Sequence, residues 1–566
     1  METHNDDVVS GDTERILPSI RQDLEETETH PPHEASAMDP PSSLDILKII
    51  PSNEKAKLAF DNLVQKKLSN ILDNHHSQYI VMTRKGPPER SNTHQPRPGD
   101  ETTGDEENEG SGAAKDIHYG HFRINFDCRP FLKNFNFVLG RGSERLYGAI
   151  RNVDILLAAA KTKYSDGLKA AHALLAIHPE SGAWMLSATA DPPSAQIPEE
   201  GTVIFNDEGI SQDQSRCLSR PHSTLAINGM QYDVRFAITE PEQEPLYRTK
   251  RDEALEAAGI RIPDTIISGI PFDIDGITKT AVFRYGLGSG SFGRVFEGFD
   301  RTTGDLRVVK KIQLNHEPEL PLAENEIKAN QLFGGFEGIV TLYECSNSEG
   351  GQSTKAGRYP FDVFLVQERG VAFNKYLWQA EDPVPWNLRS VLLGQLLKGL
   401  IANHQQGCMH RDITPMNVLY FSQEPKHAAF CDFGKICYSK TDTDSGIANW
   451  LWLPPEIEEK NNPAERNTYD QKIDVWMLGI TILYSWYPQV LRGLRTPVKS
   501  RFSDHEMTIC SRLKAERLSG LSPLLLKMIS WDVKDRPTAE QALNYPCLVN
   551  AAPEPAKSSD RKRLQS

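Results

Sequence analysis

The feature that most constrains the fold of this chain is a glycine-rich stretch, GSGSFGRV, at residues 288–295. Glycines without side chains let backbone amides approach a phosphate closely. The pattern alone is ambiguous, because GxGxxG also opens a helix in dinucleotide-binding folds. Here the chain continues as RVFEGFD, whose aromatic and β-branched residues alternate as in a strand. We therefore predict a strand–turn–strand unit that can hold a phosphate.

A lysine pair follows in RVVKKI, at residues 307–312. Strand alternation places Lys310 and Lys311 on opposite faces. A lysine on a strand behind a glycine loop can reach the α- and β-phosphates of a nucleotide. The next stretch, ENEIKANQLF, has a helical pattern and offers Glu326 as the partner of Lys310, with Glu324 as the alternative.

Two further motifs carry acidic and amide side chains. In HRDITPMNVLY (410–420), Asp412 can accept or orient the proton of an incoming hydroxyl, and Asn417 can hold a metal ion. In CDFGK (431–435), Asp432 is the second candidate ligand. Oxygen ligands from two loops suit a hard cation such as Mg²⁺.

In this order, and followed by PPE (454–456), DVWMLG (474–479) and DRPTAEQAL (535–543), the motifs resemble those of the eukaryotic protein kinase family. The resemblance covers about residues 282–548. It implies a bilobal α+β fold, ATP and Mg²⁺ as cofactors, and protein substrates with serine or threonine hydroxyls. It also implies that Asp474 anchors the catalytic loop and that Arg536 pairs with Glu456.

The same resemblance assigns roles to individual residues. Catalytic roles fall to Lys310, Glu326, Arg411 and Asp412, and metal binding to Asn417 and Asp432. Gln367 would border the adenine pocket, with Glu368 to Gly370 as the hinge. The expected nucleotide contacts are Leu287, Gly288, Ser289, Gly290, Ser291, Phe292, Gly293, Val295, Lys310, Glu368 and Gly370.

Arg411 precedes the catalytic aspartate, as in kinases that are switched on when a phosphate on the following loop pairs with that arginine. We expect phosphorylation on at least one hydroxyl of this loop, with Lys435 as an additional contact for the phosphate. The candidate sites are Ser439, Thr441, Thr443 and Ser445.

One position departs from the family pattern. Thr414 stands where serine/threonine kinases have a lysine that helps to neutralise the transferring phosphate, and Asn449 stands where they have the threonine which that lysine contacts. Pro415 follows the serine/threonine pattern. We therefore predict an active but slow kinase in which Thr414→Lys raises turnover. A pseudokinase scaffold that mainly binds partners is the alternative, although the expected catalytic residues are all present.

Residues 118–240 contain short strand-like pieces separated by turn residues, which predicts an antiparallel sandwich. The stretches VLGRG (138–142), AAHALLAIHPESGAWML (170–186) and GTVIFN (201–206) resemble a forkhead-associated domain, a family that binds phosphothreonine peptides. Arg141 matches the family's phosphate-contacting arginine and His172 its buttressing histidine. Lys169 replaces a serine of the family pattern, and Glu200 replaces an asparagine.

The whole chain is therefore expected to be multidomain. The predicted division is a disordered acidic tail (1–43), a helical segment (44–83), a low-complexity linker (84–117), the sandwich (118–240), a connector with a helix (241–270), the kinase domain (271–549) and a flexible tail (550–566). The pairing of the two domains resembles fungal checkpoint kinases, and suggests checkpoint or stress signalling.

Composition narrows the setting. The 566 residues carry a net charge of −14, which argues against a dominant nucleic-acid-binding role. Eight scattered cysteines form no CxxC pair and indicate reduced thiols. The acidic N-terminus lacks the apolar core of a secretory signal, and no apolar run is long enough for a membrane helix. We expect an intracellular protein, nuclear or cytoplasmic.

Overall fold

The structure is a computed structural model of the chain. It describes residues 44–88, 115–132, 135–144, 150–151, 153–189, 203–212, 214–262, 269–270, 276–290, 293–316, 320–348, 359–373, 386–423, 425–444, 452–457, 467–491, 508–509, 511–513 and 521–549.

The N-terminal region is built mainly from short strands. In chain order they are β1 (Asp45–Pro51), β2 (Ile80–Gly86), β3 (Ile117–Asn125), β4 (Phe137–Gly140), β5 (Ser143–Glu144), β6 (Ile150–Arg151), β7 (Ile155–Leu156), β8 (Ala173–Ile177), β9 (Trp184–Ala188), β10 (Val203–Phe205), β11 (Glu208–Ile210), β12 (Ser215–Cys217), β13 (His222–Ile227) and β14 (Met230–Phe236). The helices are α1 (Glu54–Leu68), α2 (Asn74–Ser77), a 3₁₀ turn (Pro241–Gln243) and α3 (Glu244–Ala257).

These strands form two main sheets. Seven strands pair antiparallel in the order β11-β10-β13-β14-β1-β3-β2, and five pair in the order β12-β9-β8-β4-β7, where β4 and β7 are parallel. Buried and less buried residues alternate along β14, so one face of the first sheet is covered. The ring of Tyr79 meets Phe137 edge-on at 6.2 Å and links the two sheets.

The predicted helix in the segment 44–83 is present as α1, which Asn53 caps by accepting a hydrogen bond from the amide of Ala56. The helix lies on the first sheet, in contact with β3 and β14. The same segment also supplies β1 and β2, which a purely helical assignment did not anticipate. Because β1 pairs with β14 on one side and β3 on the other, this segment is part of the sheet and not an appendage to it.

The C-terminal region begins with strands and continues with helices. The strands are β15 (Gly276–Ile277), β16 (Ala281–Gly290), β17 (Gly293–Asp300), β18 (Leu306–Leu314), β19 (Leu342–Asn347), β20 (Phe361–Glu368), β21 (Val371–Ala372), β22 (Val418–Phe421), β23 (His427–Phe430), β24 (Thr441–Asp442) and β25 (Tyr469–Asp470). The helices are α4 (Leu320–Phe333), α5 (Trp386–Gln405), α6 (Lys472–Trp486), α7 (Pro488–Leu491), α8 (Leu521–Met528), α9 (Ala539–Leu543) and α10 (Pro546–Val549).

Two lobes result from this order. The smaller lobe is a six-stranded antiparallel sheet, β15-β16-β17-β18-β20-β19, with α4 packed beside it. The larger lobe is helical, and its core gathers apolar residues of α5, α6 and α8 around the loops that follow α5. In the described part of the chain, none of the helices combines the length and apolar character needed to cross a bilayer.

The smaller lobe also packs on the N-terminal sheets. A cluster that we call the shared apolar cluster joins Ala183, Met185 and Cys217 to Val282 and Phe299. The first three lie on β9, its N-terminal flank and β12, and the last two on β16 and β17. The amide of Cys217 donates a 2.7 Å hydrogen bond to the carbonyl of Arg301 at the same boundary.

Candidate active site

The site is organised around one buried lysine. The ammonium nitrogen of Lys310 on β18 lies 2.7 and 2.8 Å from the two carboxylate oxygens of Glu326 on α4. It also lies 2.9 Å from Oδ1 of Asp432. The structure therefore selects Glu326 over the alternative Glu324, and brings one residue from each of three separate motifs into direct contact.

The ammonium of Lys310 and the carboxylate of Asp432 stabilise each other in their charged forms. Burial alone would lower the pKa of Lys310, but the carboxylates of Glu326 and Asp432 raise the pKa above its ordinary value, so the amine stays charged. Burial opposes ionisation of Asp432 as well, yet the contact with Lys310 keeps the pKa of that carboxyl below its ordinary value. The site thus presents a fixed cation next to a fixed carboxylate.

A second polar contact holds α4 in place. The side-chain amide of Gln367, at the end of β20, donates a 2.8 Å hydrogen bond to Oδ1 of Asn330 on α4. Asn330 in turn donates from Nδ2 to the carbonyl of Glu326 at 2.8 Å. Asn330 and Gln367 are both buried, and together with Glu326 we call them the α4 tether.

The loop after α5 is held by Asp474 of α6. Its carboxylate accepts 2.9 Å hydrogen bonds from the backbone amides of His410 and Arg411, and lies 2.9 Å from Nε2 of His404. Arg411 has a φ of 66°, and Asp432 has a φ of 61°. Non-glycine residues in this region carry backbone strain of about 1–3 kcal/mol, which the surrounding contacts must hold.

Asp412 lies in the middle of this loop. The side-chain nitrogen Nδ2 of Asn417 donates to the backbone carbonyl oxygen of Asp412 at 2.9 Å and to its Oδ2 at 3.1 Å. The ammonium of Lys435 lies 3.6 Å from Oδ1 of Asp412. Burial raises the pKa of Asp412, and the charge of Lys435 acts in the opposite direction. The sequence suggested Lys435 as a contact for a loop phosphate, but its charge faces Asp412.

The ligand chemistry fits Mg²⁺. Asn417 and Asp432 line the same cavity, and both offer oxygen atoms, the donors that Mg²⁺ prefers. Protein sites for this ion usually supply only one or two carboxylates, and substrate phosphates and water complete the shell. Asn417 and Asp432 are therefore the residues that would hold the ion.

The cavity between the lobes has a volume of about 440 Å³. Ligand pockets in proteins span roughly 300–1,000 Å³. Most of the expected nucleotide contacts border it, namely Leu287, Gly288, Gly293, Val295, Lys310, Glu368 and Gly370. Gln367, Asp412, Asn417 and Asp432 also line the cavity.

The two strands predicted on either side of the glycine loop are present as β16 and β17, which pair antiparallel. A Cβ on Gly293 would come within 2.3 Å of the carbonyl oxygen of Lys311, so packing requires glycine there. A Cβ on Gly288 would meet no atom within 4 Å among those described. Ser289 and Gly290 belong to β16, whereas Ser291 and Phe292 lie outside the described residues.

Arg411 is already paired. Its guanidinium nitrogen Nη1 lies 2.6 Å from Oδ2 of Asp442 and 3.8 Å from a carboxylate oxygen of Asp444. Its Nε donates to the carbonyl of Lys435 at 2.7 Å. Among the candidate phosphorylation sites, Ser439, Thr441 and Thr443 are exposed, and Ser445 lies outside the described residues, as does Asn449.

The sequence of the C-terminal region is also similar to a known family. The sequence model of the protein kinase domain family matches residues 283–548. Residues 283–548 are thus similar to protein kinase domains, and we call this region the kinase domain below. Within the kinase domain, the cavity lies between the two lobes and is lined by Lys310, which pairs with Glu326.

Several curated protein kinases are also similar to this chain. The chain is 24% identical to MAP3K epsilon protein kinase 1 of Arabidopsis thaliana over 271 residues, 47% of this chain and 18% of that protein. It is 26% identical to serine/threonine-protein kinase dst1 of Dictyostelium discoideum over 283 residues, 47% of this chain and 34% of the relative. MAP kinase kinase kinase mkh1 of Schizosaccharomyces pombe is 23% identical over 408 residues, 65% of this chain and 34% of the relative.

The chain therefore spans only about a fifth to a third of the length of these three relatives. The family match does not extend to the N-terminal sheets. There, the backbone amide of Arg141 donates to the carbonyl of Lys169 at 3.0 Å, and Nε of Arg141 donates to the carbonyl of Leu168 at 2.5 Å. Buried His172 accepts from the amide of Lys169 at 3.2 Å, so the structure brings these three expected residues together.

Two contacts near the candidate site in the kinase domain were not predicted from the sequence: that of Asp442 with Arg411 and that of Asn330 with Gln367. Asp442 could have been found as an acidic residue between CDFGK and PPE, where a phosphate was expected. The contact of Asn330 with Gln367 depends on the position of α4 against the sheet, and no local pattern announces it. Glu200, which replaces an asparagine of the forkhead-associated pattern, lies outside the described residues.

Proposed function

We propose that this protein is an ATP-dependent protein serine/threonine kinase that acts on hydroxyl groups of protein substrates. The observation that carries the proposal is Lys310, which contacts Glu326 and Asp432 at once. In this arrangement the lysine can hold the α- and β-phosphates while the aspartate holds the metal. Asp412 then stands ready to accept the proton of the substrate hydroxyl.

Two further features support this function. No atom of the described residues lies within 4 Å of a Cβ placed on Gly288, and this space and the adjoining cavity suit a nucleotide whose phosphates approach the backbone. Bound Mg²⁺ would neutralise charge on the phosphates. Specificity for serine and threonine rests on Pro415 and on the likeness to dst1, which is named a serine/threonine-protein kinase.

The decisive experiment compares two neighbouring lysines on β18. Lys310→Met removes the buried phosphate contact, whereas Lys311→Met removes an ammonium that pairs with Asp362 at 2.8 Å. We expect Lys310→Met to lower phosphate transfer from labelled ATP to dephosphorylated casein by about 100-fold or more, as single electrostatic contacts in active sites do. Lys311→Met should stay within about threefold of wild type, because Lys311 is not among the residues that line the cavity.

The alternative function predicts a different result. A scaffold without catalysis would transfer no phosphate above the level of Lys310→Met under any metal condition. Near-normal transfer by folded Lys310→Met would also contradict the assigned role of this lysine. Circular dichroism of each variant distinguishes lost chemistry from lost folding.

For the N-terminal sheets we propose a forkhead-associated-like module that binds phosphothreonine peptides. The support is local: the loop that carries Lys169 lies against Arg141, and His172 buttresses that loop from below. Two cations at one end of the sheets offer a phosphate charge-assisted hydrogen bonds. Paired with the kinase domain, such a module would serve a checkpoint or stress-signalling enzyme.

The module can be tested with a phosphothreonine peptide library on the full chain. We expect Arg141→Ala to weaken binding of any selected peptide by at least about tenfold, because hydrogen bonds to charged groups contribute about 1.5–3 kcal/mol. The matched control is Arg235→Ala, an exposed arginine of the same sheets whose partner is Asp233. A library without binders, or binding that survives Arg141→Ala, would make the module a docking or structural domain.

A further inference from the structure

The charge next to Asp412 comes from an unexpected element. Thr414 is buried and has only a hydroxyl where serine/threonine kinases have a lysine. The ammonium of Lys435, three residues after Asp432, lies 3.6 Å from Oδ1 of Asp412. Asp412 lines the cavity, and the side chains of Lys435 and Asp412 are 24% and 16% exposed, so the pair is partly shielded from water.

The backbone fixes this approach. The carbonyl of Lys435 accepts a 2.7 Å hydrogen bond from Nε of Arg411. Two residues further on, Cys437 exchanges two 2.9 Å backbone hydrogen bonds with Met409. The segment that carries Lys435 is thus paired with the loop that carries Asp412, so the position of the ammonium does not depend on a flexible side chain alone.

Neighbouring cations have other partners. Lys310 contacts Glu326 and Asp432, and Arg411 contacts Asp442. Lys435 is the cation that the structure places against Asp412 itself. A separation of 3.6 Å is longer than a hydrogen bond, which leaves the ammonium able to donate to a phosphoryl oxygen as well.

We propose that Lys435 supplies the positive charge that Thr414 cannot, orienting Asp412 and neutralising the phosphoryl group during its transfer. This assignment rests on the proposed kinase function. In that step the substrate oxygen bonds to the γ-phosphorus, and its proton passes to Asp412. The bond from the γ-phosphorus to the bridging oxygen breaks, and the electron pair leaves with ADP. Lys435 contacts the developing charge and keeps its own proton throughout.

The role of Lys435 alters the turnover expected of Thr414→Lys. From Thr414 alone we expect this variant to raise turnover, because a missing charge is restored. With Lys435 already in place, a second ammonium beside Asp412 brings repulsion and no new function. We now expect Thr414→Lys to leave turnover within about twofold of wild type or to lower it, and to restore activity only where Lys435 has been removed.

The experiment uses the full chain with casein as substrate. Lys435→Met should lower kcat about 10- to 100-fold, less than the 10²–10³-fold loss of a sole oxyanion contact, because Lys310 and the metal remain. The KM for ATP should change less than threefold. Lys435→Arg and the double variant Thr414→Lys/Lys435→Met should each recover at least half of the lost factor on a logarithmic scale. Exposed Lys440→Met, in the same loop, is the control.

A binding measurement separates this proposal from the proposed function. Calorimetry of ADP with Mg²⁺ and aluminium fluoride, which mimics the transferring phosphoryl group, should show at least a tenfold loss of affinity in Lys435→Met. The affinity for ATP with Mg²⁺ should stay within threefold. If Lys435→Met does not fold, Lys435→Gln removes the same charge and the same results are expected.

Each outcome of these experiments bears on either the role of Lys435 or the kinase function. Wild-type transfer with an unaffected kcat in Lys435→Met overturns the role of Lys435 and leaves the kinase function standing. A kcat loss that the double variant fails to recover also overturns it, because the role is then structural. No transfer by wild type overturns the kinase function, and an unchanged aluminium fluoride affinity in Lys435→Met would then overturn the role of Lys435 too.

Discussion

At the scale of single residues, the pair of Arg411 and Asp442 bears most directly on activity. Oδ2 of Asp442 lies 2.6 Å from Nη1 of Arg411, the arginine that pairs with a loop phosphate in kinases that phosphorylation switches on. Both side chains are largely covered, 12% and 28% exposed, so solvent screens the pair only in part. Asp442 also belongs to β24, which pairs with β25. The contact therefore links the described residues 432–444 to the loop of Arg411 without modification.

Asp442→Asn should weaken this link while keeping the shape of the side chain. A charge-assisted hydrogen bond contributes about 1.5–3 kcal/mol, so we expect kcat to fall by about tenfold. The control is Asp444→Asn, whose oxygen lies 3.8 Å from Arg411 in a side chain that is 50% exposed. Steady-state kinetics gives the comparison, and equal effects of both variants would show that loop charge in general, and not this pair, is responsible.

At the scale of elements, the α4 tether determines whether Glu326 can meet Lys310. Gln367 is the second-last residue of β20 and lines the cavity, and its side-chain amide donates a hydrogen bond to Asn330 on α4. One turn earlier on the same helix, Glu326 makes the ion pair. Because both contacts lie on one face of α4, rotation of the helix would break them together.

Asn330→Leu should loosen the helix. The change keeps a buried side chain of similar size but leaves the amide of Gln367 without its partner, which costs about 1–3 kcal/mol. We expect the free energy of unfolding in urea to fall by that amount and the affinity for ATP to weaken. Gln331→Leu, on the exposed face of α4, is the control. A stable variant with normal ATP affinity would show that the α4 tether does not hold the helix in place.

At the scale of the whole molecule, the N-terminal sheets and the kinase domain share buried side chains. The shared apolar cluster has contributors from both regions, and none of its members is more than 6% exposed. Burial of such side chains contributes about 1.5–3 kcal/mol each for large residues. The sheets are thus part of the support of the glycine-loop hairpin formed by β16 and β17.

Met185→Ala tests this coupling. A large-to-small change in a core costs about 2–5 kcal/mol. Hydrogen exchange should accelerate in β9, where Met185 lies, and also in β17 across the boundary. Met82→Ala, at a side chain that is 50% exposed, should change neither. Faster exchange confined to β9 would mean that the two regions open independently.

Much of the kinase site was predictable because its motifs have fixed spacing and chemistry. The strands on both sides of the glycine loop, the opposite faces of Lys310 and Lys311, and the candidate Glu326 all follow from short-range patterns. The choice between Glu326 and Glu324 did not follow, because it depends on how α4 is rotated against the sheet. The contact of Lys435 with Asp412 was not predicted either, since a single lysine can point to either side of its segment.

The N-terminal region shows a different limit. The strand pattern in 118–240 predicted sheets, yet β1 was hidden by the stronger helical periodicity of the adjacent α1. Strand pairing joins residues far apart in sequence, as β1 and β14 do, and no local pattern records such a partner. The shared apolar cluster is equally invisible from sequence, because Met185 and Phe299 look like ordinary core residues of their own domains.

The pair of Arg411 and Asp442 has a consequence in time. A phosphate is added by one enzyme and removed by another, so it can mark a moment in the life of a cell. A carboxylate is encoded in the gene, is present from synthesis onward, and no phosphatase can take it away. Phosphorylation of the neighbouring hydroxyls could then only supplement or displace a contact that already exists. The timing of such an enzyme would depend on when it is made, where it is recruited and which substrates it meets.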